Sequence, residues 1–243
     1  MKFIKEIVAR CWAIWGLISF LITFLCIYPF FLISFLIPNK KRSQVFFISV
    51  SKKWMNAWLI LIGCPLRIYG KRYFDPGKTY IVVFNHNTLM DIPLSSPYVP
   101  GANKTIAKDS FSKIPLFGLF YSKGSVLVNR KDSQSRSKSF EQMKAVLANN
   151  MHMCIYPEGT RNRTNELLKP FYDGAFKLST DTGVEIIPCI IRGTKNAMPI
   201  HKFFYLFPTK LSLTFLPPVS PVGLTPKAMN EKVHGIMLKE LNK

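Results

Sequence analysis

This sequence predicts an α/β fold: one layered domain with a largely central mixed sheet flanked by helices, preceded by an N-terminal membrane-embedded helical anchor. Three observations carry that reading. Seven short apolar or β-branched runs recur from residue 66 onward, each bounded by polar or Gly/Pro turns. Helix-length polar–apolar segments separate them, and such βαβα alternation implies helices layered on a sheet. Ahead of them, no residue from Cys11 to Asn39 carries a formal charge. A chain of 243 residues suits one sizeable core. The division expected is an anchor over residues 1–65 and the α/β domain over residues 66–243.

The anchor comes first. A signal peptide has a shorter apolar core and small residues at a cleavage site, and "SFLIPNKKR" has no such site. As one helix, residues 11–37 would reach roughly 40 Å, more than the ~30 Å of a bilayer core. Pro29 should kink or break that helix. Lys2, Lys5 and Arg10 precede the run, and Lys40, Lys41, Arg42, Lys52 and Lys53 follow it. Positive residues favour the cytoplasmic side, so a hairpin turning near Pro29 keeps both clusters there, whereas a single span separates them. "WMNAWLILIGCPL" (54–66) is too short to span, and Trp54 and Trp58 share a helical face suited to the membrane interface.

The α/β domain follows. "LRIYG", "YIVVF", "KTIAK", "SVLVN", "HMCIY", "IIPCII" and "LSLTFL" read as strands. Helices are expected near 88–97, 110–121, 133–149, 173–181 and 225–242. Ser133 stands as the cap of the third, and Gly183 as the stop after the fourth. "HKFFYLFPTK" (201–210) reads either as a second interfacial contact or as a partly buried hairpin rim. The five cysteines show no CxxC spacing and read as small buried hydrophobes in a reducing compartment.

Charge narrows the partners. Lys and Arg number 33 against 13 Asp and Glu, a formal net charge of +20, which calls for an acidic partner: nucleic acid, an anionic lipid surface or a phosphorylated substrate.

In open α/β sheets, ligands gather where strands end and helices begin. Polar clusters follow three of the strands: "NHNTLMD", "NRKD" and "PEGTRNR". His86 can take a proton near neutral pH. On one continuous helix it would lie ~140° from Asp91. The two meet if His86 sits in the turn and Asp91 in the following helix, where the carboxylate would orient the ring. The alternative is a helix start capped by Asn85 or Asn87, with His86 merely polar. In "YPEGTRNR" the glycine lets backbone approach a ligand, and Arg161 and Arg163 suit phosphate oxygens. Glu158 either fixes an arginine or bonds a substrate hydroxyl. Arg130 and Lys131 add positive charge at another strand end, as does Lys108. There is no G-x-S-x-G elbow, and His152 with Cys154 on one strand face reads as packing, so a covalent acyl-enzyme has no obvious carrier.

Taken in order, "NHNTLMD", "GSVLVNR", "YPEGTR" and "IIPCI" resemble the four sequence blocks of the glycerolipid acyltransferases, specifically the PlsC-type 1-acylglycerol-3-phosphate acyltransferases. The resemblance covers roughly residues 66–216 and implies that residues 66–243 form an acyltransferase domain. It places the family's H-x-x-x-x-D pair on His86 and Asp91, and its second-block arginine on Arg130. Its third block falls on Glu158, Gly159, Thr160 and Arg161, and its fourth-block proline on Pro188. Asn129 stands where an Asp is common, and Tyr156 where a Phe is. The implied reaction moves an acyl group from acyl-CoA or acyl-carrier protein to the sn-2 hydroxyl of lysophosphatidic acid, with Arg130 and Arg161 on the phosphate. Backbone N–H groups would meet the oxyanion. No metal or cofactor is implied. The implied partners are anionic membrane lipids at the cytoplasmic face, not nucleic acid. Two rivals remain: an acyltransferase for another lyso-lipid, such as a lyso-aminolipid, and a non-catalytic basic membrane-binding protein.

Overall fold

The computed structural model describes residues 2–243. Seven strands form one mixed sheet: β1 (Leu66–Tyr69), β2 (Ile81–Phe84), β3 (Asn103–Lys108), β4 (Ser125–Val128), β5 (His152–Ile155), β6 (Ile186–Arg192) and β7 (Leu211–Phe215). Their spatial order is β1-β7-β6-β2-β5-β3-β4. Neighbours run parallel except β6 and β7. All seven expected runs are therefore strands, and the C-terminal ends of β2 to β6 lie on one edge of the sheet.

Alternation along the strands builds two cores. Val82, Phe84, Cys154, Ile187 and Cys189 face one side, and Ile81, Val83, Met153, Ile155 and Ile190 face the other. The second side is closed by α5 (Ser133–Ala148), α6 (Gly174–Thr182) and α8 (Pro226–Leu241). Asp132, not Ser133, caps α5 by accepting the Gln134 N–H. Thr225 caps α8, and α6 stops at Gly183 in the left-handed region. Pro115 divides the expected 110–121 helix, leaving a 3-10 turn at Asp109–Lys113 and then α4 (Phe117–Gly124). The 88–97 segment is the short α3 (Asp91–Ser95) with a 3-10 turn after it, and a short α7 spans Thr194–Ala197.

The first side is closed by the N-terminal helices, α1 (Lys2–Ile33) and α2 (Lys40–Leu61), together with α3 and α4. They do form a hairpin, but its turn is not at Pro29. The helix continues through Pro29, and the chain reverses at 37–39, where Asn39 caps α2. Aromatic packing holds the last turns of α1: Phe31 lies 5.7 Å from Phe47 and 5.2 Å from Phe120, centroid to centroid. Trp54 and Trp58 do not sit at an interface either. Both are buried, and their indole N–H groups donate to Thr23 Oγ1 and the Gly16 carbonyl at 2.9 Å.

α1 shows two faces. Ala9, Ala13, Gly16, Ser19, Phe24 and Phe31 recur at helical spacing and are buried. The opposite face exposes Ile14, Leu17, Ile18, Leu21, Ile22, Leu25 and Phe30, and with them Cys11 and Cys26, against the expectation of burial. By length and composition this helix could cross a membrane. Yet it is tied to the domain near both ends: Arg10 donates to the Phe203 carbonyl, Lys202 pairs with Glu6, and Tyr28 donates to the Leu116 carbonyl. The 201–210 segment is thus the strap over the start of α1. Tyr205 and Leu206 are buried, and Phe203 points outward.

A proline inside a helix forfeits a hydrogen bond and costs ~3 kcal/mol relative to alanine. Pro29→Ala should therefore raise the thermal midpoint of the protein in detergent, by as much as about 3 kcal/mol of stability. An unchanged or lower midpoint would mean that the chain turns at Pro29.

Candidate active site

The loop after β2 is held from three sides before any side chain faces the cleft. Asn85 is buried and exchanges two hydrogen bonds with the backbone of Ile191 on β6, at 3.0 and 2.7 Å. The His86 N–H donates to Glu158 Oε1 at 2.6 Å, and the His86 carbonyl accepts the Asn162 N–H at 2.7 Å. These partners sit at the ends of the two strands that flank β2, so the parallel register fixes the backbone of His86. Neither Asn85 nor Asn87 caps a helix.

The imidazole then meets Asp91. His86 Nδ1 lies 2.9 Å from Asp91 Oδ2, with the aspartate fully buried and 12% of the histidine side chain exposed. The same oxygen accepts the N–H groups of Asn87 at 2.5 Å and Thr88 at 2.7 Å. Asp91 Oδ2 is thus an acceptor for three N–H groups, which assigns the proton of the neutral ring to Nδ1 and makes Nε2 the nitrogen free to accept one. Tyr156 packs its ring 4.4 Å from the imidazole, and its hydroxyl donates to the Asp91 carbonyl at 2.9 Å. The histidine in the turn and the aspartate in the next helix adopt the arrangement that the spacing required.

Glu158 has a different part from the one expected. It is buried, and its two oxygens accept backbone N–H groups from His86 and Lys169. Burial pushes its carboxyl above the ordinary value, and the two N–H groups oppose that rise. Among the described residues it pairs with no arginine. Gly159 adopts φ +70°, and a Cβ there would come within 2.6 Å of the Tyr172 ring, so the turn needs glycine. Thr160 accepts the Lys169 ammonium at 2.7 Å.

The remaining candidates spread along the edge. Arg161 is half-buried on the loop after β5, beside β2, while Arg163 is exposed. Lys108 ends β3 and Arg130 follows β4; both are exposed. β4 is three strands from β2, roughly 14 Å at 4.8 Å per strand, so Arg130 shares the edge with His86 but not its immediate surroundings. Pro188 lies inside the sheet, buried and in register with Val83. Its missing N–H falls between the Ile186–Val219 bridge and the start of the β7 ladder at Cys189, so its place is structural. His152 is structural too: Nδ1 accepts the Tyr80 N–H at 3.0 Å, and burial holds its pKa down to about 4. Sequence reasoning offered Asn85 only as a helix cap and did not find Asn162, Lys169 or the Tyr156 hydroxyl. An asparagine closing a fully apolar strand was the one signal available for Asn85.

Residues 65–192 match the sequence model of the family described as Acyltransferase. A 1-acyl-sn-glycerol-3-phosphate acyltransferase of Cocos nucifera is 30% identical over 201 residues, 77% of this chain and 60% of that protein. The alpha 1-acyl-sn-glycerol-3-phosphate acyltransferase of Mus musculus is 30% identical over 168 residues, 68% of this chain and 59% of its own. The chain thus spans about three-fifths of the length of these relatives. The crystal structure of the 1-acyl-sn-glycerophosphate (LPA) acyltransferase PlsC from Thermotoga maritima superposes with a TM-score of 0.79 at 22% identity, covering 100% of this chain and 97% of that one. The fold is the same.

Glu158→Gln separates tether from ligand. The amide offers one acceptor where two N–H groups need two, so stability should fall by about 1–3 kcal/mol and turnover with it. Thermal unfolding and steady-state kinetics check this. An unchanged midpoint with a raised KM would instead put Glu158 on the substrate.

Proposed function

The chain belongs to the acyltransferase family, and we propose that it moves an acyl group from acyl-CoA or acyl-carrier protein to the sn-2 hydroxyl of 1-acylglycerol-3-phosphate, giving phosphatidic acid. The observation that carries this reading is the His86–Asp91 pair, oriented by hydrogen bonds and opening at a strand edge that also bears Arg161, Lys108 and Arg130. The names of the relatives support the choice of acceptor.

His86 Nε2 takes the proton of the acceptor hydroxyl as its oxygen attacks the thioester carbonyl. Asp91 keeps Nδ1–H in place and stabilises the imidazolium that forms. Collapse of the tetrahedral intermediate breaks the C–S bond. A thiol of pKa about 8.5 leaves readily, and the proton on His86 returns to that sulfur. No protein nucleophile is needed. Arg161, one strand from His86, is assigned the acceptor phosphate. Arg130 and Lys108, further along the edge, are assigned phosphate groups of the donor.

The lipid acceptor has to reach this edge. The exposed face of α1 is the surface proposed to enter one leaflet on the cytoplasmic side, with the helix lying along the membrane, because crossing it would break the ties near both its ends. The acceptor's acyl chain then stays in lipid while its headgroup reaches His86.

His86→Ala should abolish transfer to 1-acylglycerol-3-phosphate and leave membrane association unchanged. Asp91→Asn should lower turnover by orders of magnitude, because an amide can stabilise the wrong tautomer. Full activity of either variant would overturn the mechanism. Arg161→Ala should raise KM for the acceptor more than for the thioester, and Arg130→Ala should do the reverse. An assay with phosphorylated and amino-lipid acceptors and with both donors reads these effects, and a preference for the amino-lipid would change the assigned acceptor. For the anchor, cysteines placed at Lys5 and Lys41 in a Cys11→Ser/Cys26→Ser background should label from the same side of sealed cells. Labelling from opposite sides would mean that α1 spans.

A further inference from the structure

The turn between α1 and α2 gathers positive charge where a helix tolerates it least. The N-terminal end of a helix already carries about half a positive charge, and it favours anions. α2 nevertheless opens with Lys40, Lys41 and Arg42 and has no acidic residue in its first turn. Two further lysines come from the domain. Lys123, at the end of α4, donates to Ser43 Oγ at 2.7 Å and lies 4.6 Å over the Phe35 ring. Lys104, on β3, is half-buried, and its pKa is lowered first by burial and then by Lys123 and Lys40. Among the described residues no carboxylate pairs with Lys40, Lys104 or Lys123. In the same turn, Ser34 accepts the Ser43 hydroxyl on its carbonyl, while its own buried hydroxyl has no partner. Two half-buried ammonium groups, Lys104 and Lys123, beside the first turn of a helix that opens on Lys40 are stabilised when an anion joins them.

This cluster is not the catalytic edge. Lys104 is in register with Met153, and Met153 with Ile81, five residues before His86. That is roughly 16 Å along the strands, with two strands, or about 10 Å, across the sheet. What borders it is the apolar end of α1 and the 3-10 turn after it: Phe30, Ile33, Phe35 and Leu36 are exposed. Phosphate-binding donors beside an uncovered apolar strip match one ligand class, an amphiphile with an anionic head.

We propose that Lys40, Lys104 and Lys123, around the first turn of α2, bind the phosphate of an anionic membrane lipid whose acyl chains lie along the exposed face of α1. This rests on the reading of α1 as lipid-facing and is independent of the catalytic assignment. Co-sedimentation with phosphatidylcholine vesicles, with and without phosphatidylglycerol, tests it. The full chain should prefer the anionic vesicles. A Lys40→Gln/Lys104→Gln/Lys123→Gln triple variant should lose most of that preference, about fivefold per lysine and roughly a hundredfold in all, while still binding neutral vesicles. A Lys227→Gln/Lys232→Gln/Lys239→Gln variant on α8 removes the same charge and should keep the preference. Equal loss in both triples would mean diffuse attraction and overturn the site, as would no loss in the first. Failure of the unaltered chain to bind neutral vesicles would count against the lipid-facing reading of α1 itself. If the first triple does not fold, acetic anhydride labelling of the unaltered chain decides. Phosphatidylglycerol vesicles should protect Lys104 and Lys123, whereas neutral vesicles and inorganic phosphate should not. Protection by inorganic phosphate alone would make the ligand a soluble anion and overturn the lipid assignment, and no protection in any arm would overturn the site.

Discussion

A single buried carboxylate joins the two loops on which the site is built. Glu158 accepts the His86 N–H from the loop after β2 and the Lys169 N–H from the chain beyond its own turn. Charge-assisted bonds of this kind are strong where water is excluded. Once the backbone of His86 is held, few directions remain for its ring, and Asp91 and Tyr156 occupy the ones that matter. The tether also explains why the turn needs Gly159: the chain must fold back sharply for Glu158 to point inward while Tyr172 closes over the bend. Electrostatics and backbone geometry therefore serve one purpose here. The imidazole is aligned in advance, and under the proposed mechanism that alignment would lower the cost of reaching the transition state.

Much of this was legible in the residues. The strands were, because runs such as "IVVF" and "IIPCII" are buried on both faces and apolar without interruption, as strands inside a covered parallel sheet must be. The histidine–aspartate pair was legible through the resemblance of four ordered blocks, since the spacing alone also allowed a capped helix start. Three features were not. Pro29 reads as a break, but the packing of Phe31 against Phe47 and Phe120 carries the helix past it. Trp54 and Trp58 read as interfacial because their shared face is apolar, yet that face meets α1, and pairing between two helices leaves no local pattern. Arg130 and Arg161 read as partners because the resemblance places both on one phosphate. Their separation depends on strand order, and order is a property of the whole sheet.

The role of Glu158 was hidden for a related reason. A glutamate three residues before an arginine reads as an ion-pair partner for it. Here its partners are backbone N–H groups, which carry no residue identity, so nothing in the letters of the sequence marks them. Asn85 and Asn162 act in the same way, through main-chain atoms. Motif and role therefore do not coincide: Glu158 belongs to a motif block yet works on backbone, while Asn85 and Asn162 do the same with no motif role assigned to them.

The strand order also sets a timetable for synthesis. β1 is made early, but it pairs only with β7, at residues 211–215, so it waits for nearly the whole chain. α1 and α2 emerge before either strand, and much of the surface that α2 will cover does not yet exist. Contacts so distant in sequence form slowly. During that interval the two helices can pair with each other, while the apolar face that α1 still exposes in the finished fold lacks a partner. A bilayer within reach would then serve the newborn chain as a holding surface, on which the helices wait for the last strand to close the sheet against them.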